Sequence, residues 1–434
     1  MHVVVVGLGK IGLPLAVQIA TAGNTVIGCD VNPEVVEKVN QGIAPFLGEA
    51  DLPEKLKDVV NTGLLTATVE TTLAVRSADA IVVVVPVFLN DRREADFSLI
   101  DSAVRDIALG LKKGALVSFE TTLPVGTTRD RLTPQLEDIS GLTRGADFSV
   151  VFSPERVYSG RVFEDLRRYP KLIGGIDSSS TAAGIRFYEQ FLEFDARSEL
   201  FKENGVWNLG SCESAELAKL AETTYRDVNI ALANTFAVFA MRKGINVNEV
   251  IRACNSQPFS HIHTPGISVG GHCIPVYPEM YLEGHSDAQL VRVARELNLS
   301  MPELAVDALE SQHGTLINQK VLVMGVSYRG GVKEHAYSGI FQLSALLNAR
   351  QAVPYISDPL YGDDEIQRLG LNPSLNETHF DTAIIHTDHE RYKYLKEADF
   401  PSCKTILDGR DILDQANFPN IKILKINGSN IHNQ

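Results

Sequence analysis

The sequence has no CxxC pair, and its five cysteines, at positions 29, 212, 254, 273 and 403, leave an odd one over. That pattern fits a reducing compartment, so a cytoplasmic location is expected. Positive charge is also short: 40 basic residues against 54 acidic give a net charge of −14. The balance argues against nucleic acid or an anionic membrane as a general partner, though a locally basic site could still hold a small anion. Long apolar runs are missing as well. The longest, such as Ala80 to Val85, fall far short of a bilayer span. No basic stretch precedes the first apolar run, so no signal peptide is expected. What remains is the composition of an ordinary globular protein, 44% apolar and 22% charged over 434 residues, enough for two or three domains.

The first thirty residues read strand, glycine turn, helix, strand. His2 to Val6 is a β-branched run of the kind buried in parallel sheets. Gly7-Leu-Gly-Lys10-Ile11-Gly12 follows, then an apolar helix, then a strand from Thr25 to Cys29 that ends on Asp30. Gly7 suits a tight turn, Gly9 a close approach of pyrophosphate, and Gly12 helix–strand packing. Asp30 stands where an acid can accept from a ribose 2′-hydroxyl and would repel a 2′-phosphate. The expected cofactor is therefore NAD rather than NADP. A tight turn in an α/β protein without cofactor is the bland alternative. Further strands end at Pro86, at Glu120-Thr-Thr122 and at Ser153-Pro-Glu155-Arg156. Carboxyl ends of strands form the ligand crevice in doubly wound sheets, so Thr122 and Glu155 are expected on the cofactor side. Each could instead serve only as a cap.

Ser211 to Lys243 contains neither glycine nor proline and predicts one helix of roughly 50 Å. Lys219, Thr223 and Arg226 share a face of it, with Asn229 at the margin. Its apolar residues Leu232, Phe236 and Phe239 suggest a homodimer surface. Pro265 to Pro278 sets Cys273 between the Gly270-Gly271 pair and Pro275. Such a loop suits a positioned thiol nucleophile with room for a substrate, and equally a structural cysteine. From residue 315 the α/β pattern restarts without GxGxxG: strands run into Gly325-Val-Ser-Tyr328, Asp358-Pro359, Thr387-Asp-His389 and Asp408-Gly-Arg410. The fold expected is α/β, with two Rossmann-like doubly wound domains joined by a long central helix and a helical middle domain. The boundaries are 1–205, 206–310 and 311–434.

Together these segments resemble the UDP-glucose/GDP-mannose dehydrogenase family, over nearly the whole chain. The likeness rests on Gly7 to Pro14, Glu120 to Thr122, Ser153 to Val157, Gly174-Gly175 and Glu216 to Asn229. It continues through Pro265–Pro278, Gly325 to Tyr328, Asp358-Pro359 and Thr387 to His389. The Gly-Gly-His-Cys-Ile-Pro form is similar to the branch acting on UDP-N-acetylhexosamines. The resemblance implies NAD-dependent, four-electron oxidation of a sugar C6 alcohol to a carboxylate. Cys273 would form the thiohemiacetal and thioester, Lys219 would support the oxyanion, and Glu155 would activate water. Thr122 would orient that water or the hydroxyl, and Asn229 would bind a sugar hydroxyl. It further implies cofactor contacts from Lys10, Ile11, Pro86 and Thr122, and UDP-sugar contacts from Arg156, Val157, Gly266, Gly270 and Arg329. No metal is implied.

The chain departs from the family pattern at Tyr277, where an aspartate is usual, at Thr223, where an asparagine is usual, and at Val87, where a threonine is usual. Near Ala336 the usual arginine is missing, leaving Arg329 as the nearest arginine. Two other readings stay open. One is a two-electron hydroxyacid dehydrogenase, which needs no cysteine. The other is a nucleotide-sugar-binding protein without turnover.

Overall fold

The computed structural model describes every residue except Ser159, Gly284, Ser286, Asn376 and 427–434, so the end of the third expected domain lies outside the described residues. The chain divides into two compact units, Met1–Glu222 and Thr223–Gln434. The boundary falls inside a single helix, Cys212–Lys243, which the absence of glycine and proline allows.

In the first unit, β1 (His2–Val6), β2 (Thr25–Cys29), β3 (Leu65–Thr68) and β4 (Ala80–Val83) precede a short hairpin of β5 (Phe88–Leu89) and β6 (Ala95–Asp96). β7 (Leu116–Phe119), β8 (Ser149–Phe152), β9 (Lys171–Gly175) and β10 (Val206–Ser211) follow. The main sheet runs β10-β9-β8-β7-β4-β1-β2-β3. Its neighbours are parallel except β8 and β9, which pair antiparallel. The valine-rich central strands are buried on both faces, as parallel strands under crossover helices must be. Val3 and Val5 pack with Leu13, Val17 and Ile19 of the helix Gly12–Thr21 in one apolar core. β3, β9 and β10 do not stand out in the sequence. β3 and β10 are the two edge strands and are only partly buried, so they carry no continuous apolar run. β9 is fully buried yet opens on a lysine and closes on two glycines. Gly174 is required because a Cβ there would lie 1.8 Å from the Ser211 carbonyl oxygen.

In the second unit β11 (Lys320–Met324), β12 (Val353–Ser357), β13 (Thr382–Ile385), β14 (Thr405–Asp408) and β15 (Lys422–Lys425) form an all-parallel sheet, ordered β12-β11-β13-β14-β15. Alternation divides its side chains. Val321, Val323, Ile384 and Leu407 meet Met301, Ala305, Ile340 and Leu343 on one face, while Leu322, Ala383, Ile385 and Ile406 meet Tyr392, Phe400 and Phe418 on the other. β15, an edge strand with lysines at both ends, is the one the sequence hides. Two doubly wound α/β sheets are thus present. Among the described residues no helix is long and apolar enough to cross a membrane.

Candidate functional site

The glycine turn after β1 shows three different demands. Gly7 has φ 96°, and a Cβ there would meet the Val84 carbonyl oxygen at 2.8 Å. A Cβ on Gly12 would lie 1.8 Å from the Gly7 carbonyl oxygen. Gly9 has no atom within 4 Å of its would-be Cβ, so it faces open space beside the start of the helix Gly12–Thr21. Only an external group gives that third glycine a purpose. The space and the helix N-terminus suit a pyrophosphate. Asp30 anchors the turn: its Oδ2 accepts from Leu8 N at 2.9 Å and its Oδ1 from Asn32 N at 2.9 Å. Each oxygen keeps a second lone pair for a ribose hydroxyl. Lys10 is exposed, Ile11 packs against the core, and Pro86 is exposed beyond β4.

Beside this turn, at the carboxyl ends of β7 and β8, lies a cluster of buried charge. Because β9 runs against β8, pairing Phe152 with Gly174, its first residue falls opposite the segment that leaves β8. Lys171 Nζ therefore meets Glu155 Oε2 at 2.8 Å, and it also meets Glu120 Oε2 at 2.7 Å. Tyr188 Oη donates to the other oxygen of Glu120, and Ser118 Oγ lies 2.7 Å from Tyr188 Oη. Burial pushes Glu120 above the ordinary carboxylate range, only partly offset by Lys171. Burial works against Glu155 too, but there the Lys171 ammonium wins and the carboxyl is held below its ordinary value. Glu155 Oε1 also accepts from Arg156 N at 2.7 Å. Lys219 is not a solvated helix lysine: it is 6% exposed, and its Nζ donates to the Glu155 carbonyl at 2.6 Å. Arg156 Nε pairs with Glu222 at 3.1 Å, and Val157 packs on the core. Thr122 is buried on a loop held by Glu216, whose carboxylate accepts from Gly126 N, Thr128 N and Thr128 Oγ1 at 2.6–2.9 Å. Burial nevertheless lifts Glu216 to about 7.

In the second unit the cysteine loop is tied at both ends. Asn234 Oδ1 accepts from Gly266 N at 3.0 Å, and Arg295 Nη1 donates to the Ile274 carbonyl at 3.1 Å. These anchors form one buried network: Arg295 pairs with Asp227 at 3.1 Å, while Asn298 bridges Asp227 and Asn234 at 2.7 and 2.9 Å. Cys273 is partly exposed, whereas Cys29, Cys212 and Cys403 are buried with their thiols pushed up to about 12. Two residues of the expected sugar site have partners within the protein. Would-be Cβ atoms on Gly270 and Gly271 run into Tyr328 at 2.5 and 3.0 Å, so the glycine pair lets that side chain come close to the loop. Asn229 donates to His261 O and Tyr225 Oη and accepts from His263 N, at 2.7–3.0 Å. One proton holds the loop and the other goes to Tyr225 of the same helix, leaving one acceptor lone pair for any sugar hydroxyl.

Arg329 stacks on its neighbour Tyr328, with Nε 3.2 Å from Tyr328 Oη. A more telling cation is one the sequence reading passes over. Arg410, just beyond β14, donates to the carbonyls of His386 at 2.6 Å and Tyr328 at 3.1 Å. Among the described residues it joins no ion pair, and burial pulls its pKa down. Its Nη1 lies 3.4 Å from where a Cβ on Gly266 would stand. Gly266 thus lies beside a guanidinium suited to an anion. The available signal was a charged residue closing an apolar strand; Lys171, opening one, gives the same signal. Lys219, Glu155, Arg156 and Thr122 belong to the first unit, and Cys273, Asn229, Gly266, Gly270 and Arg329 to the second.

Comparison with known proteins agrees with this arrangement. Residues 1–192 match the NAD binding domain of the UDP-glucose/GDP-mannose dehydrogenase family, 213–300 its central domain and 322–415 its UDP binding domain. A UDP-N-acetyl-D-mannosamine dehydrogenase of Pyrococcus horikoshii is 33% identical over 96% of both chains. An NDP-N-acetyl-D-galactosaminuronic acid dehydrogenase of Ralstonia nicotianae is 32% identical over 94% of this chain and 95% of its own. The solved structure of the Pyrococcus horikoshii UDP-D-ManNAc dehydrogenase superposes with a TM-score of 0.88 at 31% identity, covering 99% of this chain and all of the other. A glycine turn open at Gly9, strand ends lined with buried acid and lysine, an anchored cysteine loop and three matching domains in order leave one conclusion. The chain is an NAD-dependent dehydrogenase of the UDP-glucose/GDP-mannose dehydrogenase family.

Proposed function

We propose that this protein oxidises the C6 alcohol of a UDP-linked N-acetylhexosamine, UDP-N-acetyl-D-mannosamine first among them, to the uronic acid through a covalent bond to Cys273. The observation that carries the reading is Cys273 itself. It is a partly exposed thiol on a loop fixed at Gly266 and Ile274, while three of the other four cysteines are sealed as neutral thiols. The names of the Pyrococcus horikoshii relatives support the mannosamine form. Bound NAD supplies the hydride acceptor for each of the two oxidations. The turn at Gly7, Gly9, Lys10, Ile11 and Gly12 would hold it with Asp30, Pro86 and Thr122.

The protein's own part is addition, charge and water. The Cys273 thiolate adds to the C6 aldehyde, and the carbonyl oxygen becomes an anion that the buried Lys219 ammonium stabilises. After the second oxidation the carbon is a thioester. Glu155 takes a proton from water as the oxygen adds to that carbon; the C–S bond then breaks and the thiolate returns to Cys273. Arg410 and Gly266 would meet the diphosphate, with Arg156, Val157, Gly270 and Arg329 completing the UDP-sugar site. The same reading divides the chain at 1–205, 206–310 and 311–434. It also makes it a homodimer through Leu232, Phe236 and Phe239, which are 46, 40 and 58% exposed. It places the protein in the cytoplasm, where a catalytic thiol stays reduced.

The test is NADH formation from NAD with a panel of UDP-sugars. Two NADH per acid formed from UDP-N-acetyl-D-mannosamine is the expected result. A preference of more than about tenfold in kcat/KM for UDP-glucose, ~1.4 kcal/mol in barrier, overturns the substrate. A single NADH per product overturns the cysteine route.

A further inference from the structure

Two carboxyl groups share one buried ammonium at the end of the first sheet. Lys171, Glu120 and Glu155 have side chains 4, 0 and 11% exposed. With all three ionised the cluster would carry one uncompensated negative charge away from water, which is costly. Two carboxylates on one partner relieve this by keeping a proton, and their environments decide which one holds it. The surroundings are unequal. Glu120 lies deepest, at the foot of β7, against Tyr188 Oη with Ser118 behind it. Glu155 is less enclosed and accepts from its neighbour's amide. It is also faced by the cations of the helix Cys212–Lys243 and its own loop: Lys219 at its carbonyl, and Arg156, which shares Glu222 with Lys219 at 3.1 and 3.8 Å. The directions of titration follow this asymmetry, Glu120 upward and Glu155 downward.

We propose that Lys171 and Glu120 are positioning residues for the base Glu155: Lys171 keeps it ionised, and Glu120 carries the cluster's proton in its place. This rests on the reading of Glu155 as the base. In thioester hydrolysis Glu155 starts as the anion and ends protonated. A second carboxyl within the same hydrogen-bonded group, already holding its own proton, prevents Glu155 from idling in the protonated form at neutral pH. The reversed strand β9 makes this arrangement, since only its amino end can bring a lysine to the carboxyl ends of β7 and β8.

The experiment is the pH profile of NADH formation from UDP-N-acetyl-D-mannosamine and NAD, between pH 5 and 9, for the full-length protein and its variants. Lys171→Met should raise the acid limb by about one to three pH units, the usual effect of losing an adjacent opposite charge. Lys171→Arg, which keeps the charge, should restore the wild-type limb. Glu120→Gln, which imitates the protonated acid, should not raise the limb and should erase the inflection that ionisation of Glu120 gives above the ordinary carboxylate range. A merely structural role predicts lower activity in all three with unshifted limbs, and that result overturns the inference. An upward shift in Glu120→Gln equal to that of Lys171→Met does so too. If Lys171→Met fails to fold, Glu120→Gln decides alone, and a profile superimposing on the wild type refutes the claim. Glu155→Gln separates the two levels. Undiminished acid formation there removes the base, and the inference falls with it. An inactive Glu155→Gln beside an unmoved Lys171→Met limb removes only the charge coupling.

Discussion

The pair Asp227–Arg295 offers the sharpest test of how the cysteine loop is held. Both side chains are essentially out of water, 0 and 3% exposed, with Arg295 Nε 3.1 Å from Asp227 Oδ2. At that distance the attraction is about 5 kcal/mol for an effective dielectric of 20. Asp227→Asn keeps the shape but leaves a buried guanidinium without its counter-charge. Arg295→Met does the reverse, and each should cost about 3–5 kcal/mol. For a unit the size of 223–434 that is roughly 6–20 °C in Tm, readable by scanning calorimetry of the full chain. The double variant removes both charges, so it should cost clearly less than the sum of the singles. Arg295→Met also frees the Ile274 carbonyl beside the nucleophile, so iodoacetamide should alkylate Cys273 faster in a Cys254→Ser background. Single losses below about 1 kcal/mol, or strictly additive ones, would refute the idea that this pair is the loop's anchor.

Three other outcomes follow from the geometry. Gly9→Ala should keep the wild-type Tm, because its Cβ meets nothing within 4 Å, yet lose at least about tenfold in NAD affinity (~1.4 kcal/mol); Gly12→Ala, with a contact at 1.8 Å, should lose both. Unchanged NAD affinity in Gly9→Ala would sink the pyrophosphate reading. Cys273→Ala should bind UDP-sugar yet form no acid, and Lys219→Ala should slow turnover by on the order of a hundredfold; product analysis per NADH checks both. Glu216, raised in the fold from 4.5 to about 7, favours the folded state fully below pH ~4.5 and loses that contribution as pH climbs through about 7. Stability should therefore fall by on the order of 3 kcal/mol across that window, and chemical denaturation of Glu216→Gln should show a flatter profile.

The parts of the molecule legible in the sequence are those whose cause is local. The turn at Gly7–Gly12 is dictated by backbone crowding within a few residues, and the glycine- and proline-free run predicts the helix Cys212–Lys243 almost to its ends. The valine-rich strands declare themselves because both their faces are buried. What stays hidden depends on partners distant in the chain. β9 opens on Lys171, a residue that argues against a buried strand until Glu120 and Glu155 are placed beside it. Gly270 and Gly271 give no sign that Tyr328 packs against them. Asn229 reads as a sugar contact, and nothing local shows that its amide also donates to His261 O and accepts from His263 N. Arg410 draws notice only when the fold sets it beside Gly266.

The distribution of sulfur has a consequence for the life of the protein under oxidants. Thiolates, not thiols, react with peroxides and electrophiles. Three sulfur atoms are buried with their ionisation suppressed, so damage is channelled to the exposed Cys254 and to Cys273. On the proposed covalent route, oxidation of Cys273 to a sulfenic acid would stop turnover, and a thiol could reverse it. On that route, the exposure that would let Cys273 meet a substrate would also tie activity to the redox surroundings.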